Sequence, residues 1–229
     1  MTAFPLAVRA VLFDCDGVLV DSEPITNGVL RDMLAERGWD LSPADCMRLF
    51  VGKTVRSQAP VIEANTGQPF TEDWLQQFYQ RRNARLAAEL QPIAGAVDAV
   101  RAVHAKLGGR IACASGADLA KVQMQLAQVG LAELFGAHVF SGHDLPRSKP
   151  FPDVYLKAAE SLGVAAGDCL VVEDTVTGVQ AGVAAGATVI GYSPAGAADL
   201  HTAEAALREA GAVHIIGSMA ALPELLRAM

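Results

Sequence analysis

Two aspartates one residue apart, followed by a glycine and placed directly after an apolar run, constrain this chain more than any other feature. The run from Val8 to Phe13 is rich in β-formers and reads as a short buried strand. It stops at Asp14-Cys15-Asp16-Gly17. In an open parallel α/β sheet, ligands bind beyond the carboxyl ends of the strands, so both acids would face a site. Asp and Gly also serve turns and helix caps, and this stretch alone does not decide between the two uses.

Beyond the first strand the chain changes character twice. From about Glu23 to Glu89 there is no strong strand run; apolar residues recur at helical spacing, as in Ile25, Val29, Leu30, Met33 and Leu34, and again in Trp74, Leu75, Phe78 and Tyr79. Gly38 closes the first helix, Ser42-Pro43 opens the second, Gly52-Lys53-Thr54 breaks the middle, and Thr71 caps the last. From Pro92 onward, helices and apolar strands alternate. The strands read as Arg110–Ala114, His138–Phe140, Cys169–Val172, Ala187–Ile190 and a short one at Val213–Ile216. Helices are expected at Gly95–Leu107, Asp118–Val129, Asp153–Leu162, Thr177–Ala185 and Met219–Ala228. Such alternation predicts an α/β fold with a doubly wound parallel sheet. The core would comprise residues 1–21 and 92–229, interrupted by a small helical domain at 22–91.

A chain of 229 residues that is 52% hydrophobic can bury such a core. Its formal charge of −7 argues against a non-specific nucleic-acid surface. No apolar run approaches the length of a membrane span, and the first residues lack a basic-plus-apolar leader, so a cytoplasmic protein without membrane contact is expected. Cys15, Cys46, Cys113 and Cys169 form no Cys-x-x-Cys pair and read as buried reduced thiols. The five histidines show no metal-site spacing.

The polar residues fall where the strands end. Strand one ends in Asp14 and Asp16, strand two in Ser115-Gly116 and strand four in Glu173-Asp174, while Lys149 sits in a proline-fixed loop. Singly, each has a plain structural use as a cap or a solvated charge. In a doubly wound sheet they meet at one edge.

These residues carry a resemblance. The chain resembles the haloacid-dehalogenase-type superfamily of phosphohydrolases and phosphomutases, in the branch with a helical cap after the first motif. Phe13-Asp14-Cys15-Asp16-Gly17-Val18-Leu19-Val20-Asp21-Ser22 matches the first motif and Ala114-Ser115-Gly116 the second. Ser148 to Tyr155 matches the third, and Val172 to Gly178 the fourth. The resemblance implies a Rossmann-like core in which Asp14 is the nucleophile and forms an aspartyl-phosphate. Asp16 would be the general acid and then the base, Ser115 would hold the transferring phosphoryl group, and Lys149 would pair with it and with Asp14. Asp14, Asp174 and the backbone carbonyl of Asp16 would hold Mg²⁺, with Glu173 in support.

Charge counting agrees. A phosphate dianion with Asp14, Glu173 and Asp174 sums to about −5, and like charges at ~4 Å cost about 4 kcal/mol per pair at an effective dielectric of ~20. A divalent cation with oxygen ligands would relieve this, and the same crowding would favour a proton on Asp16. The helical insert is expected to act as a lid and to carry specificity through Glu23, Thr26, Asn27, Lys53 and Arg56, with Gly116 of the second motif as a further substrate contact. Arg81, Arg82 and Arg85 read as a solvated helix face. Hexose-phosphate mutases of the family have a cap histidine where this chain has Thr26, and a lysine where it has Asp118. Both departures favour a phosphatase acting on a small phosphomonoester, such as a sugar or sugar-acid phosphate, over a mutase of the β-phosphoglucomutase type. The expected assembly is a monomer or weak homodimer.

Overall fold

The computed structural model describes residues 8–50, 53–194 and 202–229. Gly52 of the expected break and His201 lie outside the described residues. The chain divides into two compact units, Met1–Asp21 with Gln91–Met229, and Ser22–Leu90.

The first unit is built on six parallel strands: β1 (Ala10–Phe13), β2 (Ile111–Ser115), β3 (Val139–Ser141), β4 (Cys169–Glu173), β5 (Thr188–Tyr192) and β6 (His214–Ile216). Their order is β3-β2-β1-β4-β5-β6. Every residue of β1, β2 and β4 is buried, as a parallel sheet covered on both faces requires, which is why these strands read as unbroken apolar runs. One face packs Leu12, Ala112, Val171 and Val189 against Val154, Tyr155, Ala158 and Val179. The register pairs Phe13 with both Cys113 and Val172. Residues one step beyond Phe13 therefore stand level with Ala114 and Glu173. The order reverses direction between β1 and β4, so the crevice of this fold opens beside Asp14.

The crossovers are α5 (Ala96–Lys106), α6 (Leu119–Gln128) with the one-turn α7 (Ala132–Phe135), α8 (Asp153–Ser161), α9 (Val176–Ala184) and α10 (Glu204–Ala210), and α11 (Leu222–Ala228) follows the last strand; α1 to α4 belong to the second unit. The sequence pattern predicts neither α7 nor α10. One has a single turn and the other only Leu207 fully buried, so neither leaves a periodic apolar pattern. Strand β5 runs Thr188–Tyr192, two residues beyond the expected end at Ile190, continuing through Gly191.

The second unit holds α1 (Glu23–Ala35), α2 (Pro43–Phe50), α3 (Ala59–Thr66) and α4 (Glu72–Glu89). Two of its starts, those of α2 and α4, follow the capping chemistry: Ser42 Oγ accepts from the Asp45 N–H at 3.1 Å, and Thr71 Oγ1 from the Trp74 N–H at 3.2 Å. Its own core joins Val29, Leu30, Met33, Phe50, Ile62 and Phe78. Arg82 corrects the expectation of a solvated face. It is only 7% exposed, its guanidinium lies 4.8 Å from the Tyr79 ring centroid and it donates to Asn83 Oδ1. Arg81 and Arg85 do sit in exposed ion pairs, with Glu36 and Glu89. All four cysteines are free and buried. No helix among the described residues is long and apolar enough to cross a membrane.

Candidate active site

The carboxyl ends of β1, β2 and β4 bring the sequence-predicted core residues together. Asp14 follows β1 immediately, and its N–H donates to the Val172 carbonyl at 3.0 Å, which extends the ladder by one residue and aims the side chain at the crevice. Gly17 then turns the chain with φ +79°, a conformation that other residues adopt only under strain. A Cβ at Gly17 would also overlap the Asp174 carboxylate. The turn thus needs glycine twice over, for its backbone and for the room it leaves to an acid from β4.

Lys149 is the hub. Its ammonium donates to Asp14 Oδ1 at 2.6 Å, to Glu173 Oε1 at 2.6 Å and to the Ala114 carbonyl at 3.0 Å, with its side chain 8% exposed. The two carboxylates sharing it are not equivalent. Burial pushes Glu173 up, but Lys149, the Thr175 N–H and the Tyr155 hydroxyl outweigh it, and the carboxyl ends below its usual range. For Asp14, burial wins over Lys149, with Glu173 and Asp174 adding repulsion, and its carboxyl is held well above the usual range. Lys149 itself loses by burial but gains more from Asp14 and Glu173, so it stays charged.

Glu173 is anchored from all sides. Oε1 accepts from Lys149 and from the Tyr155 hydroxyl at 2.9 Å; Oε2 accepts from the N–H groups of Asp174 and Thr175 and from Thr175 Oγ1, each at 2.9 Å. That uses the lone-pair sites a carboxylate has to offer. Gly178 lies so close that a Cβ there would collide with this carboxylate. Glu173 therefore orders Lys149 and the start of α9. Tyr155, part of the third motif, is a site residue to which the sequence alone assigns no role.

Asp14, Glu173 and Asp174 each offer a carboxylate oxygen, all within 4.8 Å of one another. A buried cluster of hard oxygen donors with one lysine among them fits a divalent cation of the magnesium kind. Asp14 and Asp174 are the better ligands, because Glu173 is already saturated by protein donors.

Asp16 behaves differently from expectation. Instead of standing in unrelieved anionic surroundings, its carboxylate meets a second cation. Lys121 Nζ donates to Oδ1 at 2.8 Å and to Oδ2 at 2.9 Å, and Gln125 Nε2 donates to Oδ1 at 2.8 Å. Neither residue stands out in the sequence. The one available signal is their spacing of four on α6, which puts a lysine and a glutamine on one helix face behind a serine-bearing strand. Asp118 is the N-cap of that helix, accepting from the Lys121 N–H at 2.9 Å. Ser115 is 1% exposed and its Oγ accepts from the Ala117 N–H at 3.0 Å, while Gly116 is exposed.

The remaining candidates belong to the second unit. Asn27 is buried and donates to both the carbonyl and Oε2 of Glu23, each at 3.0 Å. Thr26 Oγ1 is buried and makes no hydrogen bond among the described residues. Lys53 donates to the Leu49 carbonyl at 2.9 Å at the end of α2, and Arg56 forms a two-pronged, exposed ion pair with Glu72.

The parallel α/β fold with carboxylates gathered at its strand ends defines a class of hydrolases, and comparison with known proteins agrees. A family model described as haloacid dehalogenase-like hydrolase matches residues 8–186. The chain belongs to that family, as an enzyme of its phosphatase type. It is 31% identical over 183 residues to 6-phosphogluconate phosphatase of Escherichia coli, covering 80% of this chain and 81% of the relative. It is 32% identical over 184 residues to hexitol phosphatase B of the same organism, covering 79% and 82%. A haloacid dehalogenase family hydrolase from Deinococcus radiodurans, solved with bound phosphate and sodium, superposes with a TM-score of 0.80 at 36% identity, covering 96% of this chain and 95% of that one.

Proposed function

We propose that this protein is a Mg²⁺-dependent phosphatase of sugar or sugar-acid monophosphates that works through an aspartyl-phosphate on Asp14. The observation that carries the reading is the buried Asp14 carboxylate at the β1 end, held by Lys149 and flanked by Glu173 and Asp174. Two relatives that act on phosphorylated polyols or sugar acids, and a third that binds phosphate, support the substrate class.

Each residue has one task. Asp14 and Asp174, with the Asp16 backbone carbonyl, would hold Mg²⁺, which supplies charge neutralisation for the phosphoryl oxygens. Burial makes Asp14 a more basic nucleophile, and the Lys149 ammonium, bonded to Oδ1, acts against that rise and orients the carboxylate. An Asp14 oxygen bonds to phosphorus, the bond from phosphorus to the ester oxygen breaks, and that oxygen takes a proton from Asp16. Water then bonds to phosphorus, gives a proton to Asp16, and the bond to Asp14 breaks. Ser115 holds the phosphoryl group through both steps, beside Gly116. Selectivity among substrates is assigned to the helical unit, with Glu23, Thr26, Asn27, Lys53 and Arg56 as its candidates.

Thr26 and Asp118 favour hydrolysis over return of the phosphoryl group to a second hydroxyl. Phosphorus NMR of a metabolite screen with Mg²⁺ tests this. The expected product is inorganic phosphate from 6-phosphogluconate or a hexitol phosphate. A hexose 1-phosphate converted chiefly to hexose 6-phosphate would make the protein a mutase instead.

A further inference from the structure

Lys121 is an unusual residue for the inside of a core unit. Its side chain is 7% exposed, and burying an ammonium costs several kcal/mol unless it is paired. The partner is Asp16, 105 residues earlier in the chain, gripped at both oxygens. Gln125, one helical turn along α6 and fully buried, adds a third donor at Oδ1, and its own Oε1 lies 3.6 Å from the Cys15 Sγ next to Asp16. Helix α6 starts directly after the Ser115 strand end, capped by Asp118. One short segment thus fixes two things, the serine of the site and the plane of the Asp16 carboxyl.

A carboxyl that passes a proton to a leaving oxygen has to be aimed, because a displacement of about 1 Å can cost on the order of a hundredfold. Asp16 lies beside a glycine-dependent turn and is partly exposed, so its own backbone does not immobilise it. Three hydrogen bonds from one rigid helix do. We propose that Lys121, seconded by Gln125, is the positioning residue for Asp16, holding its carboxyl in line with the ester oxygen during proton transfer. The inference rests on the reading of Asp16 as the acid.

The test is a series of substituted phenyl phosphates from phenyl, whose leaving phenol has a pKa of about 10, to 2,4-dinitrophenyl, whose leaving group needs no proton. The readout is the slope of log kcat/KM against leaving-group pKa for wild type, Lys121→Met, Gln125→Leu and Asp16→Asn, with Mg²⁺ present. A slope does not depend on how much of a variant is folded, and Gln125→Leu removes only one donor should Lys121→Met be inactive. In Lys121→Met the phenyl ester is expected to lose about ten- to a hundredfold while the dinitrophenyl ester stays within about threefold, steepening the slope towards that of Asp16→Asn; Gln125→Leu should shift it less, in the same direction. A steep slope in Asp16→Asn with wild-type slopes in both α6 variants would overturn the inference. So would a uniform loss along the series in Lys121→Met, which would make the lysine a structural or anion-binding residue. A wild-type slope in Asp16→Asn would instead remove the acid role of Asp16, and the inference with it.

Discussion

Replacing Lys149 by methionine would leave two buried carboxylates, Asp14 and Glu173, without the ammonium that lies 2.6 Å from each. The side chains are 8% and 1% exposed, so solvent screening takes little off the effect. Removing one partner of a buried pair costs about 3–5 kcal/mol, most of it from the charge left behind. Part of this is recovered if Asp14, already pushed up by burial, takes a proton. The net loss should therefore lie near the lower end, about 3 kcal/mol at neutral pH. Urea unfolding in EDTA measures it. Far-UV circular dichroism is the readout, since both tryptophans, Trp39 and Trp74, belong to the helical unit. With a urea dependence of about 1–3 kcal/mol per molar, the midpoint should fall by about 1 M or more.

The pH dependence has a definite sign. In the wild type Glu173 is held below its usual range, so it contributes stability above its unfolded pKa that is lost as pH falls. Without Lys149 both carboxyls rise, and their penalty is full at neutral pH and vanishes below the unfolded carboxylate range of about 4. The gap between wild type and Lys149→Met should thus shrink as pH falls from neutral towards the carboxylate range. A gap that stays constant, or widens, would refute the claim that buried carboxylates cause it. Saturating Mg²⁺ at neutral pH should restore part of the loss, about 2.7 kcal/mol at a hundred times its Kd.

The same geometry fixes the outcome of other perturbations. Asp14→Asn should fold and show no turnover and no phosphoenzyme, as read by acid-quenched labelling; wild-type rates from the folded variant would exclude the covalent route. Exhaustive chelation should abolish activity and Mg²⁺ restore it, and calorimetry with Mn²⁺ should show Asp174→Ala weakening the metal by about tenfold or more. Glu173→Ala should chiefly cost stability, about 3 kcal/mol by urea unfolding, because this carboxylate organises Lys149, Tyr155 and Thr175. Gly17→Ala should lower stability by about 1–3 kcal/mol and reduce metal affinity, since its Cβ would push on Asp174. Unchanged Mn²⁺ binding in that variant would show that the Asp174 position does not matter to the metal.

Much of the first unit was legible because its information is local. An apolar run buried on both faces reads as a strand wherever it lies, and the polar residue that ends each run marks the same sheet edge. Asp14, Ser115, Glu173 and Asp174 follow from that rule alone. Capping chemistry is local too, which is why Thr71 and Ser42 stand where the sequence puts them. Helices too short to repeat an apolar stripe, such as Ala132–Phe135, leave no local signal to read.

What the tertiary structure alone decided are the partners of charges. Arg82 resembles its neighbours Arg81 and Arg85 in sequence, and only packing against Tyr79 places it inside. Charge counting along the motifs gives Asp16 only anionic company, because Lys121 reaches it from a helix 105 residues away. A side chain's own segment sets its backbone and the face it occupies. Its electrostatic surroundings are summed over every element folded against it, and Coulomb energies at ~3 Å depend on neighbours that sequence order does not rank. The place of Asp14 at a strand end was therefore readable from the order of the chain, whereas the Lys121 contact with Asp16 emerged only once α6 was laid beside the β1 turn.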